Sequence, residues 1–134
     1  MNTAEMLHAD ITEKIIQAIF EVQNILGYGF LEKVYENALA VELRQMGWKV
    51  EQQKNIRVFY KGEMVGDYFP DLLVDDKVIV ELKSGKGLVP EHEAQLLNYL
   101  RGSHVEVGLL VNFGMKVTFK RKVLSNEYKK DYLG

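Results

Sequence analysis

Apolar positions recur along this chain with two different periods. Between Asp10 and Leu26, the residues Ile11, Ile15, Ala18, Ile19, Val22 and then Ile25 or Leu26 return at spacings of three and four, which predicts an amphipathic helix. Asp10 followed by Glu13 has the form of a capping box, and Gly27, Tyr28 and Gly29 supply the stop. A second helix is predicted from Phe30 to Met46. Its inward side carries Leu31, Val34, Tyr35, Ala38, Leu39, Leu43 and Met46, and Gly47 stands at its C-terminal stop. From Trp48 the period becomes two: Trp48, Val50, Ile56, Val58 and Tyr60 alternate with polar neighbours, and Lys61-Gly62 reads as a turn.

Met64 to Val74 reads as one further extended stretch, and Asp75, Asp76 and Lys77 form an acidic turn. Val78 to Leu82 is apolar on both faces up to Glu81, as a central strand is. Ser84 to Val89 is a Gly-containing loop. Pro90 then fits the first turn of a helix reaching Arg101, with Gly102 beyond its end. Val105 to Phe113 is a nearly unbroken apolar strand, and Val117 to Val123 a more polar one suited to an edge. The order helix, helix, three strands, helix, two strands predicts a single α/β layer domain over residues 1–134, with 1–9 and 125–134 loosely ordered.

Composition narrows the chemistry more than the fold. The chain has 134 residues, 47% hydrophobic and 27% charged, within the range of globular domains. It has no cysteine, which removes disulfides, thiolate metal sites and cysteine nucleophiles. Any metal must take oxygen or imidazole ligands. No apolar run approaches a membrane span, and Met1 to Asp10 lacks the basic-then-apolar order of a signal peptide, so the cytoplasm is the expected location. A net charge of -2 argues against histone-like coating of DNA but leaves room for an enzyme acting on it.

Charged residues within apolar strands are costly unless they bind a metal or a partner, and Asp71, Glu81 and Lys83 all occupy such positions. Strand alternation puts Glu81 and Lys83 on one face with Ile79. Asp71 joins them only in one register. A two-residue turn at Asp75-Asp76 would pair Asp71 with Val80 and turn it away; a three-residue turn through Lys77 pairs Asp71 with Glu81. The three-residue turn or an equivalent bulge is the expectation. Two facing carboxylates suit a hard cation such as Mg²⁺ or Mn²⁺.

Pro70-Asp71 followed by Glu81-Leu82-Lys83 resembles the PD-(D/E)XK motif of the restriction-endonuclease-like nucleases, whose core of helix, three strands, helix and strand is similar to the order from Phe30 to Phe113. Gly29-Phe30-Leu31-Glu32-Lys33-Val34-Tyr35 spells the signature of the GxxExxY family within that superfamily. Asp71-Leu72-Leu73-Val74, Gln95 to Leu100 and Gly108 to Phe113 extend the likeness. The resemblance implies a restriction-endonuclease-like fold with an extra N-terminal helix and a mixed central sheet. It also implies a metal-dependent nuclease hydrolysing DNA phosphodiesters, with Mg²⁺ or Mn²⁺ held by Glu32, Asp71, Glu81 and the Leu82 carbonyl. Lys83 would stabilise developing negative charge.

Gln95 and Tyr99 share a helix face and resemble the QxxxY element of RecB-like nucleases, which implies that Gln95 orients the catalytic groups and Tyr99 approaches nucleic acid. Lys86, Lys120, Arg121 and Lys122 are further candidate nucleic-acid contacts. Lys116, Lys120, Arg121, Lys122, Lys129 and Lys130 stand against only Glu127 and Asp131, a basic run that either tracks a phosphate backbone or keeps an edge strand from pairing. At this size, target specificity calls for a homodimer or a partner protein. Two other readings use the same residues: a noncatalytic nucleic-acid- or protein-binding module, and a pocket for a small phosphorylated ligand.

Overall fold

The computed structural model describes residues 7–129. Helices α1 (Ala9–Leu26) and α2 (Glu32–Gln45) are followed by β1 (Val50–Gln52), β2 (Ile56–Tyr60), β3 (Glu63–Tyr68), β4 (Leu72–Val74) and β5 (Val78–Lys83). Helix α3 (Pro90–Arg101), β6 (Val107–Phe113), β7 (Val117–Val123) and a 3-10 turn at Asn126–Tyr128 complete the order. Five strands form one mixed sheet in the order β1-β4-β5-β6-β7, with β5–β6 parallel and the other pairs antiparallel. This is the α/β restriction-endonuclease-like architecture, with β5 central and β7 at an edge.

Strand alternation sends each face of the sheet to a different helix layer. Val78, Val80, Leu82, Leu72 and Val74 pack with Ile15, Ile19, Leu39 and Leu43 of α1 and α2. Ile79, Leu73 and Leu110 pack on the other face with Leu96 and Leu100 of α3. Gly108 permits that closeness: a Cβ there would lie 2.7 Å from Leu96 Cδ1.

Four expectations change. The 64–74 stretch is two strands in two sheets, because β3 pairs only with β2 in a separate ribbon and β4 joins the main sheet. Pro70, lacking an N–H and holding its predecessor extended, breaks the run between them. The first helix begins at Ala9 with no side-chain cap, leaving Asp10 in its first turn. The second begins at Glu32 and ends at Gln45, and Leu31, Val34 and Met46 are exposed rather than inward. Residues 7–9 and 125–129 are docked: Leu7 packs on the core, and Lys129 Nζ donates to the Ser103 and Val105 carbonyls at 2.8 and 2.7 Å. Residues 1–6 and 130–134, including Lys130 and Asp131, lie outside the described residues.

The turn into the central strand follows the expected register. Val74 pairs with Val78 and Leu72 with Val80, leaving Asp75, Asp76 and Lys77 as the connection. Asp75 and Asp76 take positive φ of 53° and 58°, a conformation that aspartate tolerates better than most residues.

Tyr35 ties the α1–α2 turn to the core. Fully buried, it stacks on Phe113 at 4.4 Å, donates from its hydroxyl to the Gly27 carbonyl at 2.7 Å and accepts from Phe30 N–H at 3.4 Å. Tyr35→Phe removes both hydrogen bonds while keeping the stack. Urea denaturation should show a loss of roughly 1–2 kcal/mol.

Candidate active site

The candidate site lies where β4 begins and β5 ends. Beyond the Leu72–Val80 pair, side chains replace the backbone ladder between these strands. Asp71 N–H donates to Glu81 Oε1 at 3.1 Å, and Leu82 N–H donates to Asp71 Oδ2 at 2.8 Å. Each carboxylate is thus aimed by a peptide of the facing strand, and the two acids stand together as the three-residue turn requires. Lys83 follows two positions after Glu81 and is half-buried.

Electrostatics here are dominated by dehydration. Glu81 is only 7% exposed, and burial, reinforced by the adjacent Asp71 carboxylate, pushes its carboxyl up to about 8. Lys83 pulls in the opposite direction. Asp71 is also raised, chiefly by burial and further by Glu36, against the stabilising Leu82 N–H. Two acids that resist losing their protons side by side form a place where a cation is favoured.

On α2 the acid turned toward this pair is Glu36, while Glu32 is exposed in the first turn. Glu36 is buried and accepts from Lys33 Nζ at 2.9 Å and Gln52 Nε2 at 2.8 Å through Oε2. Gln53 Nε2 donates both to Glu36 Oε1 at 2.9 Å and to Asp71 Oδ1 at 3.2 Å, joining helix, loop and strand. Glu36 is not among the residues expected from the sequence, although it lies on the stripe of Leu39, Ala40 and Leu43 and breaks it in the same way that Glu81 breaks its strand. Gln53, a loop residue at φ 55°, carries no comparable signal.

On the opposite side, Gln95 Nε2 donates to the Tyr99 hydroxyl at 2.6 Å, and the Tyr99 ring stacks on Tyr68 at 3.9 Å. The Tyr68 hydroxyl donates to the Tyr99 carbonyl. Burial, and then the negative charges of Glu81 and Asp71, raise the Tyr99 phenol. Gln95 and Tyr99 therefore share the surroundings of the acidic pair, with Tyr68 as a partner unforeseen from the sequence.

The basic candidates do not form one surface. Lys120 and Lys122 both bind Glu93 of α3 at 2.8 Å, and together they hold the Glu93 carboxyl down at about 2. Arg121 alternates to the other face, where it donates to the Leu7 carbonyl. Lys86 is exposed in the turn after β5. No helix among the described residues is long and apolar enough to cross a membrane.

A solved structure shares this fold. It is titled "Crystal structure of SSO0001" and is similar over 90% of this chain with a TM-score of 0.54 and 21% identity, a likeness of fold. The present chain spans 60% of the length of that one. No curated protein matches. A family model described as PD-(D/E)XK nuclease superfamily matches residues 9–123, from the first residue of α1 to the last of β7. With every α-helix and strand of the described residues inside that match, the chain belongs to the PD-(D/E)XK nuclease superfamily.

Proposed function

We propose that this protein is a metal-dependent nuclease of the GxxExxY type that hydrolyses phosphodiester bonds of DNA. The observation that carries this reading is the cross-strand pair of Asp71 and Glu81, with Lys83 two residues on. Superfamily members generally use divalent metals, and the donor set suits one. All its side-chain donors are oxygens, and two carboxylates crowded together out of water favour a cation between them. Among the described residues no three His, Asp or Glu side chains converge, so remaining ligand positions fall to water and phosphate oxygens, as Mg²⁺ prefers.

In this reading Asp71, Glu81 and the Leu82 carbonyl hold the ion. Glu36 acts through Gln53 as a positioning residue, and Glu32 is assigned no part. A bound divalent ion would polarise the scissile phosphate and make its water more acidic. Lys83 offers positive charge to the developing oxyanion, and Gln95 holds the Tyr99 hydroxyl by its hydrogen bond.

Calorimetric titration with Mn²⁺ should show a site that Asp71→Asn abolishes, together with Mn²⁺-dependent cleavage of DNA by the wild type. Lys83→Ala should keep metal binding yet lower the cleavage rate roughly 10²- to 10³-fold, the loss typical of a charge-stabilising group. Absence of both metal binding and cleavage of DNA or RNA would leave the noncatalytic module as the reading.

The buried acid also sets a pH dependence in metal-free protein. Because Glu81 is raised from 4.5 to about 8 on folding, the folded state favours its neutral form. That contribution is fully present below about pH 4.5 and is lost as pH rises through about 8. Urea denaturation in EDTA should therefore show stability falling by a few kcal/mol across this window. Glu81→Gln should flatten the fall, and Mn²⁺ should oppose it in the wild type.

A further inference from the structure

A cleft of about 730 Å³ opens at the C-terminal ends of β5 and β6. Its walls come from the α1–α2 turn, the turn after β5 and the hairpin joining β6 to β7. Ser84, in its wall, directly follows Lys83, and Asn112, also in its wall, is the β6 partner of Lys83. The cleft therefore begins one residue from the candidate site.

Its lining is predominantly apolar with a cationic rim. Tyr28 and Met115 present a ring and a thioether that are 61% and 77% exposed, and both line this one recess. Lys86 and Lys116 are exposed at its edge, and among the described residues neither is paired with a carboxylate. Gly114 keeps the floor low, since a Cβ there would lie 3.1 Å from Asn112 Nδ2 and from the Gly85 carbonyl. The polar groups in the wall are engaged by the protein itself. Asn112 Nδ2 donates to the Gly85 carbonyl while Oδ1 accepts from Gly85 N–H, and Ser84 Oγ donates to the Phe30 carbonyl.

We propose that this cleft is a nucleotide subsite, taking an unpaired nucleotide adjacent to the scissile phosphate. The base lies against Tyr28 and Met115, and its phosphates meet Lys86 and Lys116. The volume suits one small planar ligand, whereas a stacked duplex is too broad to enter. Stacking and cation–phosphate contact without base-edge readout make binding tolerant of sequence. The substrate class is then nucleic acid with a single-stranded segment. This inference rests on the nuclease reading, which supplies the scissile phosphate.

Fluorescence anisotropy in EDTA with a labelled oligothymidylate of about ten nucleotides and a blunt duplex of equal length tests it. The wild type should prefer the single strand, and Tyr28→Ala should weaken that binding roughly tenfold with duplex affinity unchanged. Tyr28→Phe, which keeps the ring, should bind like the wild type and shows that the loss is not one of folding. The Lys86→Ala, Lys116→Ala double variant should lower the salt slope of single-strand binding by about one to two. Equal loss on duplex and single strand, or no loss in either variant, overturns the subsite. If the wild type cuts DNA with Mn²⁺ while Tyr28→Ala binds normally, the subsite alone fails. If the wild type cuts no nucleic acid with Mn²⁺, the nuclease reading fails and takes the subsite with it.

Discussion

Two carboxylates of like charge are held against each other where the β4–β5 ladder runs out, and most of the surrounding structure serves to keep them there. Left alone, Asp71 and Glu81 would separate or seek water. They stay because each accepts a peptide N–H from the opposite strand, bonds that exist only in the register set by the three-residue turn at Asp75 to Lys77. A shift of one residue would turn Asp71 toward the other face and leave Glu81 buried without it. Aspartate's tolerance of positive φ at Asp75 and Asp76 is thus coupled to side chains several residues away.

Three elements brace the pair from different directions. Gln53 links Asp71 to Glu36, and Glu36 is itself held by Lys33 and Gln52, so α2 cannot slide without disturbing the strand. The Tyr68–Tyr99 stack pins the β2–β3 ribbon to α3 beside the acids. Gly108 lets Leu96 approach the sheet closely, which fixes the depth of the helix that carries Gln95. These braces consist of hydrogen bonds and packing, and the crowding they impose makes Glu81 favour its neutral form. In the metal-dependent reading proposed above, a cation would relieve that crowding.

Much of this was legible in the chain because charged residues interrupted otherwise regular patterns. Glu81 and Lys83 stood out in an apolar strand, and turn parity alone brought Asp71 to the same face. The helices and the two last strands followed from periodicity, and the central β5 and the edge β7 were read from polarity, but five strands stand where three were expected between the second and third helices, because the 48–60 stretch, like 64–74, divides between the main sheet and the β2–β3 ribbon. The same rule would have found Glu36, but the motif drew attention to Glu32 one turn earlier. The break at Pro70 was hidden because Tyr68-Phe69 before it and Leu72 to Val74 after it read as one extended stretch, while Pro70 offers no N–H to a ladder there and β3 and β4 join different sheets. Gln53 was invisible, since a loop side chain's reach depends on tertiary placement. The tail misled for a different reason: Lys129 is polar by composition, but its ammonium satisfies two backbone carbonyls and so docks the segment.

The distribution of positive charge bears on how a polyanion would approach. Counted along the chain, the basic residues concentrate near the C-terminus, yet strand alternation sends Arg121 to one face and Lys120 and Lys122 to the other. There Glu93 neutralises much of the charge of the two lysines, and attraction between a phosphate and an ammonium already bound to a carboxylate is weakened by that carboxylate's opposing charge. Lys86, in the turn after β5, and Lys116, in the hairpin after β6, instead line the cleft. In an acidic chain, a few cations beside a recessed apolar surface steer more selectively than a broad basic face, because binding then depends on a group that can also enter the recess.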